Sequence, residues 1–275
     1  MINVKKTIAF AGLGLGLITV FASGCGVITQ AKEVHKKLTF DGKSIQTLNI
    51  KVDRGDIELE HSNDDQITLT LTGRAVKDPE SVLNTSLDGS TLNVQVKDEG
   101  IIGVNLVNSD YKLKLKVPKK VFEQVQTTNL LGDTTLTDFE SKNLDLTAKN
   151  GLISIHDYKG ETYHIKNTLG KIEMMNVTGR GDIDQSNGTV NIDLAEFKQD
   201  LTVNSTLGAV SVRLPSDSIF RLESQTMPNR DEIKLPLVFS QKEGERQTGT
   251  SMKADDRSPL LKVKASNGKF VLEGK

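Results

Sequence analysis

The chain has 275 residues, with 35 Lys+Arg against 36 Asp+Glu, a net charge of -1. So balanced a charge provides no long-range field to gather a polyanion, which argues against a nucleic-acid partner. Aromatics are scarce (9 Phe, 3 Tyr, no Trp), leaving few flat faces for stacking sugars or bases, and the single Cys excludes an intrachain disulfide or a thiolate zinc cluster.

The first residues carry an export signature. Lys5 and Lys6 precede an apolar run, Thr7–Ala22, that Gly12, Gly14 and Gly16 weaken as a helix. At 16 residues it is short of the roughly 20 that a membrane span requires, so it reads as a secretory h-region. Ala22-Ser23-Gly24-Cys25 follows, and Cys25 is the only cysteine in the chain. These four residues resemble the lipobox of bacterial lipoproteins, with Ala22 where Leu is usual. The resemblance implies cleavage before Cys25 and a diacylglycerol on its sulfur. Two acyl chains are enough for stable anchoring. The expected location is therefore the extracytoplasmic side of the cell membrane. Removal of 1–24 leaves 251 residues (275 − 24) with a net charge of −3 (33 − 36). Residues 25–37 read as the lipidated cysteine and a tether without strand period.

From residue 38 the pattern is that of short strands. The stretch 38–117 contains LTF, QTLNIKV, GDIELE, ITLTLTG, STLNVQV and YKLKLKV, punctuated by SNDD and DGS. Pro118 ends the YKLKLKV run, and its missing N–H suits a strand end.

Between 118 and 225 the sequence repeats. Gly132, Gly151, Gly170, Gly188 and Gly208 are spaced 19, 19, 18 and 20 residues apart, and Gly268 opens a further copy. Two residues after each glycine stand Thr134, Ile153, Ile172, Val190, Val210 and Phe270. Four residues after stand Leu136, Ile155, Met174, Ile192, Val212 and Leu272. Mostly polar residues alternate with them, a period of two that places one face inward. Thr134 and Val271 depart from the pattern.

A second strand in each unit aligns Leu144, Tyr163, Ile183 and Leu201, then Leu146, Ile165, Gln185 and Val203. An inward Gln185 requires a hydrogen-bond partner. One unit cannot bury its inner face alone, whereas stacked units can. The glycines fit corners where the chain turns tightly or takes positive φ. The residue before the glycine alternates Leu131, Asn150, Leu169, Asn187, Leu207, which leaves a 38-residue turn open beside a 19-residue coil. Residues 226–258, with Pro228, Pro236 and a long polar run, read as an irregular loop, and 259–275 as a terminal coil or cap. The expected fold is all-β: a right-handed parallel β-helix with coils of about 19 residues, β-rich at its N-terminal end.

The Asn-Gly corners at Asn150-Gly151, Asn187-Gly188 and Asn267-Gly268 carry a family likeness, with the KLKVP end at 114–118 and GDIEL at 55–59. In these the chain resembles the bacterial "putative adhesin" domain of unknown function over residues 38–275. That resemblance implies a surface role and carries no catalytic residues.

His156 and His164, eight apart, are placed to approach each other, but a pair does not make a metal site. Asp182 and Asp184 alternate on one strand, and Asp133, Asp138 and Asp157 sit near corners. Such carboxylates can act as acid and base or hold Ca²⁺, yet no acidic column persists through the repeats. Arg54-Gly55-Asp56 spells an integrin-binding tripeptide that the GDIEL corner already explains. No catalytic, cofactor-binding or metal residue is assigned, and no cofactor. The expected function is that of a lipid-anchored, non-enzymatic adhesin-type surface module, its partners the membrane through Cys25 and a cell-envelope or host-surface ligand. The alternative is an envelope-stress sensor binding peptides, lipids or wall fragments through 227–258. A polysaccharide-active enzyme using Asp182 and Asp184 is a third.

Overall fold

The computed structural model describes residues 32–75, 80–97, 110–227 and 230–275. The expected signal segment, 1–24, and Cys25 lie outside the described residues. In chain order the strands are β1 (Lys32–Asp41), β2 (Thr47–Val52), β3 (Asp56–Ser62), β4 (Gln66–Ala75), β5 (Leu83–Asp88) and β6 (Thr91–Val96). Then come β7 (Lys112–Pro118), β8 (Phe122–Asn129) and the unbroken winding run β9 (Thr134–Leu194). The C-terminal part holds β10 (Leu201–Leu207), β11 (Val210–Leu214), β12 (Arg221–Thr226), β13 (Asp231–Ile233), β14 (Val238–Glu243), β15 (Arg246–Thr250), β16 (Leu260–Ala265) and β17 (Phe270–Gly274).

Two faces result, joined by corners. Face A stacks β6, β2, β8, the face-A runs of β9, then β10, β16 and β12, all parallel. Face B stacks β7, β3, the face-B runs of β9, then β11, β17 and β13, again parallel. Antiparallel strands close the ends: β5 on β6, β4 on β7 with β1 outside it, and β15 on β12 with β14 outside it. These additions cover parallel edges that would otherwise offer unpaired backbone to another chain.

The stacking order is not the chain order. The unit β2–β3 lies between β6–β7 and β8–β9, although it comes first in the sequence. Likewise β16–β17, the last unit, lies between β10–β11 and β12–β13. Residues 259–275 are thus an inserted coil rather than a cap, because the pattern that makes a coil carries no information about its neighbours. The stretch 226–258 is not a plain loop either, since it contributes β13, β14 and β15. Strand pairing begins at Lys32, opposite Ala75, so the last six residues of the expected tether belong to β1.

The glycines form one row along a corner edge. A Cβ added at Gly132, Gly151, Gly170, Gly188, Gly208 or Gly268 would fall 1.6–2.1 Å from the carbonyl oxygen of the preceding glycine in the row, which begins at Gly55. Backbone therefore packs on backbone there, with φ of +137° at Gly188. All twelve residues two and four places after these glycines are buried, Thr134 included. Thr134 is accommodated by the Asn129 amide, which donates to its hydroxyl at 3.3 Å.

Just inside the row runs a ladder of amides. Asn129 donates to the Gly55 carbonyl at 3.0 Å, Asn167 to Gly151 at 3.0 Å and Gln185 to Gly170 at 3.2 Å. Gln185 points inward and finds its partners in the carbonyls of Gly170 and Asn187. Its column differs from the expected one: Ser205 pairs with Gln185 and Val203 with Ile183. Gly181 takes the place opposite Leu201, because the Tyr163 ring fills the volume that a side chain there would occupy. Aromatics fill the opposite edge instead. Phe122 stacks on Phe139 at 5.4 Å, and Phe197 meets Phe220 edge-on at 5.8 Å. Tyr158 meets Tyr163 edge-on at 6.3 Å.

Candidate functional site

Outward residues on face B fall into three zones. At the N-terminal end, β3 and β7 interleave opposite charges: Lys112 with Glu58 (2.6 Å), Lys114 with Glu60 (2.9 Å) and Lys116 with Glu60 (3.2 Å). Burial pushes the Glu60 carboxyl up, but the ammonium groups of Lys114 and Lys116 outweigh it and hold the carboxyl below its ordinary value. At the C-terminal end a second network runs from Asp193 through Arg213 (3.5 Å) to Glu273 (3.7 Å), Lys234 (2.6 Å) and Glu232 (3.2 Å). Hydrogen bonds from Lys269 and Lys234 hold Glu232 below its ordinary value, and Lys234 does the same for Glu273.

Between these ladders the face dips. An open depression of about 390 Å³ is lined by His156, Glu173, Met175, Asn191, Asp193 and Arg213, among others. Asn191 and Ser211, paired across β9 and β11, are short side chains in it, beside the longer Glu173 and Arg213. Met175 projects beside it, 48% exposed, a polarizable thioether at the rim of a polar surface. The His156 ring lies 3.0 Å from the Ser154 hydroxyl through Nε2. The lining residues all belong to β9 and β11 of the parallel stack, so the surface is preformed. Shallow and open, the dip suits contact with a large partner better than enclosure of a small molecule.

The other candidate residues separate. His156 is on face B and its ring turns to Ser154, while His164 is on face A with Asp182 at 3.5 Å. The expected approach of the two imidazoles is replaced by these partners. Asp184 accepts a hydrogen bond from Asn204 at 3.0 Å, so Asp182 and Asp184 serve different neighbours. Asp133 is used in the glycine corner, where Oδ1 accepts from the Leu152 amide at 2.8 Å. Asp138 and Asp157 occupy the opposite corner with φ of 50° and 56°, a left-handed conformation that Asp tolerates. Asp56 likewise accepts from the Asp133 amide at 2.9 Å, which binds the Arg54-Gly55-Asp56 tripeptide into the stack. Among the described residues no group of three or more His, Cys, Asp or Glu is gathered for a metal.

A second apolar hollow lies at the C-terminal end. Ile219, Leu235, Pro236, Leu237 and Met252 line about 240 Å³, and Met252 is 85% exposed. The face-B depression escapes sequence reasoning, because it gathers residues of β9 and β11 far apart in the chain, whereas the apolar hollow falls largely within 227–258, the expected contact stretch, and adds Ile219 from outside it. Arg213 and Asn191 stand in ordinary alternating strands and carry no local mark.

The fold is an all-β stack with preformed outer faces, and the sequence places it in a family. Toastrack DUF4097 matches residues 45–273, and the chain belongs to that family. No curated protein matches it. Among solved structures it is similar to a putative cell adhesion protein from Clostridium sporogenes, at 12% identity and a TM-score of 0.39, covering 90% of this chain and 100% of that one. It is also similar to a putative adhesin from Bacteroides fragilis (15% identity, TM-score 0.37, 90% and 99% covered). A third is called a putative lipid binding protein, from Parabacteroides distasonis (13% identity, TM-score 0.31, 87% and 96% covered).

Proposed function

We propose that the chain is a lipid-anchored, non-enzymatic interaction module of the bacterial cell surface. In this reading residues 1–24 are removed, Cys25 carries a diacylglycerol, and the rest stands on the extracytoplasmic side of the cell membrane. The module is a right-handed winding of about 19 residues per coil that presents its outer strands to a large surface ligand. The observation that carries the reading is the depression on face B. It is preformed and open, with short polar side chains on its floor, Met175 at its rim and a charged network along one side. Such a surface recognises an extended polymer or a protein patch through shape and polar contacts.

The test is saturable binding of labelled residues 26–275 to foreign matrices and, in parallel, to the producer's own envelope. Binding to foreign matrices that Met175→Asp and Asn191→Arg abolish supports the adhesin-type reading. Binding that both variants leave intact, or no saturable binding, overturns it.

A second reading has its own observation. The exposed Val238 (61%) and Met252 (85%), with the apolar hollow beside Ile219, favour an envelope sensor that captures peptides, lipids or wall fragments through 227–258. Binding confined to the producer's envelope and lost in Met252→Asp would select that reading.

A further inference from the structure

From Gly132 to Gly268 the residue immediately before each glycine of the corner row is exposed, and on every second coil it is a leucine; Arg54, before Gly55, is half-buried. Leu131, Leu169 and Leu207 are 40%, 46% and 46% exposed, and Leu130 beside them is 39% exposed. Asn150 and Asn187 occupy the intervening coils. Parallel strands stack at about 4.8 Å, so the three leucines stand roughly 10 Å apart in a straight line on one edge.

The N-terminal end of the described chain enters on the same line. Val34 pairs with Gly73, and Gly73 and Gly55 both abut Tyr111, which continues the glycine row to β1. Glu33 and its partner Arg74 therefore hold the rank before the row that Leu131, Leu169 and Leu207 hold further along. Only seven peptide steps separate Lys32 from Cys25 (32 − 25). Fully extended they span about 25 Å. An acyl group on Cys25 thus keeps the near end of this edge within about 25 Å of the bilayer, and Leu131 lies four strands, about 19 Å, along the row from β1.

We infer that the glycine edge lies along the membrane surface, with Leu130, Leu131, Leu169 and Leu207 seated in the lipid interface. This inference rests on the reading of Cys25 as the lipidated residue. A short tether raises the local concentration of bilayer at the edge, so a few partly exposed leucines are enough to set orientation where they could not recruit a free protein. Lying on this edge turns face A and face B sideways, open to ligands. The competing posture is upright, with the N-terminal end and the exposed Leu87 on β5 toward the lipid.

The full chain, acylated and reconstituted in vesicles of phosphatidylethanolamine and phosphatidylglycerol, provides the test. Acylation blocks Cys25, so Leu169→Cys introduces the sole free thiol for an environment-sensitive fluorophore. Lys159→Cys on the opposite edge and Leu87→Cys at the N-terminal end are labelled alike. The inference predicts quenching by lipid-borne spin labels at 169, none at 159 or 87, and loss of the signal at 169 when Leu131→Asp and Leu207→Asp are added. Equal quenching at 169 and 159, or quenching strongest at 87, overturns it. The mass of Cys25 in the same sample reports the anchor separately. An acylated chain that is unquenched at 169 overturns the edge contact alone, whereas a chain without the diacylglycerol overturns the anchor reading and, with it, the inference that rests on it.

Discussion

Gly188→Ala is the sharpest perturbation of the stack. Gly188 has a φ of +137°, and a Cβ there would lie 1.6 Å from the Gly170 carbonyl oxygen and 2.9 Å from the Gln185 amide nitrogen. Reaching even 3.0 Å requires a movement of 1.4 Å (3.0 − 1.6) between two coils held at hydrogen-bonding distance. A side chain at that φ costs about 1–3 kcal/mol. The movement also breaks the bond from Gln185 to Gly170, at about 1 kcal/mol, while the same amide nitrogen keeps the Asn187 carbonyl. The expected loss is about 3 kcal/mol, or roughly 10 °C in Tm for a chain of this length. Gly244→Ala is the control, since Gly244 has a φ of +56° with nothing within 4 Å of a Cβ. It should cost only about 1–2 kcal/mol, the ordinary penalty for a left-handed residue. Urea and thermal unfolding of residues 26–275, followed by circular dichroism, measure both. Equal losses in the two variants would refute the backbone-on-backbone contact as the reason for the glycine row.

The tyrosines at the edge opposite the glycine row should separate by hydroxyl satisfaction. Tyr158 donates to the Ser141 carbonyl at 3.1 Å, whereas the buried Tyr163 hydroxyl has no partner among the described residues. Tyr158→Phe should therefore destabilise by about 1 kcal/mol in urea titrations, and Tyr163→Phe should be neutral or stabilising. Burial drives both phenols up, Tyr158 to about 12, so neither should ionise in a spectrophotometric titration at pH 10 where exposed tyrosines do. Glu60 gives an acid limb. Its folded carboxyl sits below its unfolded value, so its contribution is present above the ordinary carboxylate range and disappears as pH falls through the lowered value. Glu60→Gln should flatten that part of the stability curve, and salt should shrink the difference, as read by Tm against pH. Deleting 259–275 removes a coil from inside the stack and bares β10–β11 and β12–β13 at once. It should abolish cooperative unfolding and promote association on size exclusion, while deletion of the outer β14 should leave the core transition in place.

The glycine spacing and the alternation after each glycine were legible because they are local, and the residues so marked are buried in the structure. Gln185 announced itself as a polar residue in an apolar column, and it found backbone carbonyls within reach. Neighbour order was not legible. Gly55 and Gly268 carry the same pattern as the central glycines, and nothing in that pattern says that their coils are inserted rather than terminal. The face-A columns slipped by two at Gly181, since the missing side chain is compensated by Tyr163 from the adjacent coil. The start of β1 was hidden by KEVHKK, an edge strand with one face in solvent and charge on both. Of the candidate surfaces, the Leu/Asn alternation was visible in the sequence, but its exposure was not. The face-B depression depends on residues meeting across coils, a relation that exists only after stacking.

Residence at the membrane through Cys25 is the claim on which the surface role depends, and one measurement tests it directly: the partition of the wild-type chain and Cys25→Ala between membrane and soluble fractions of the producing cell. The wild type should be found with the membrane, and Cys25→Ala should be released or retained as uncleaved precursor lacking the diacylglyceryl mass. A fully processed Cys25→Ala chain that stays with the membrane in the wild-type proportion would contradict it.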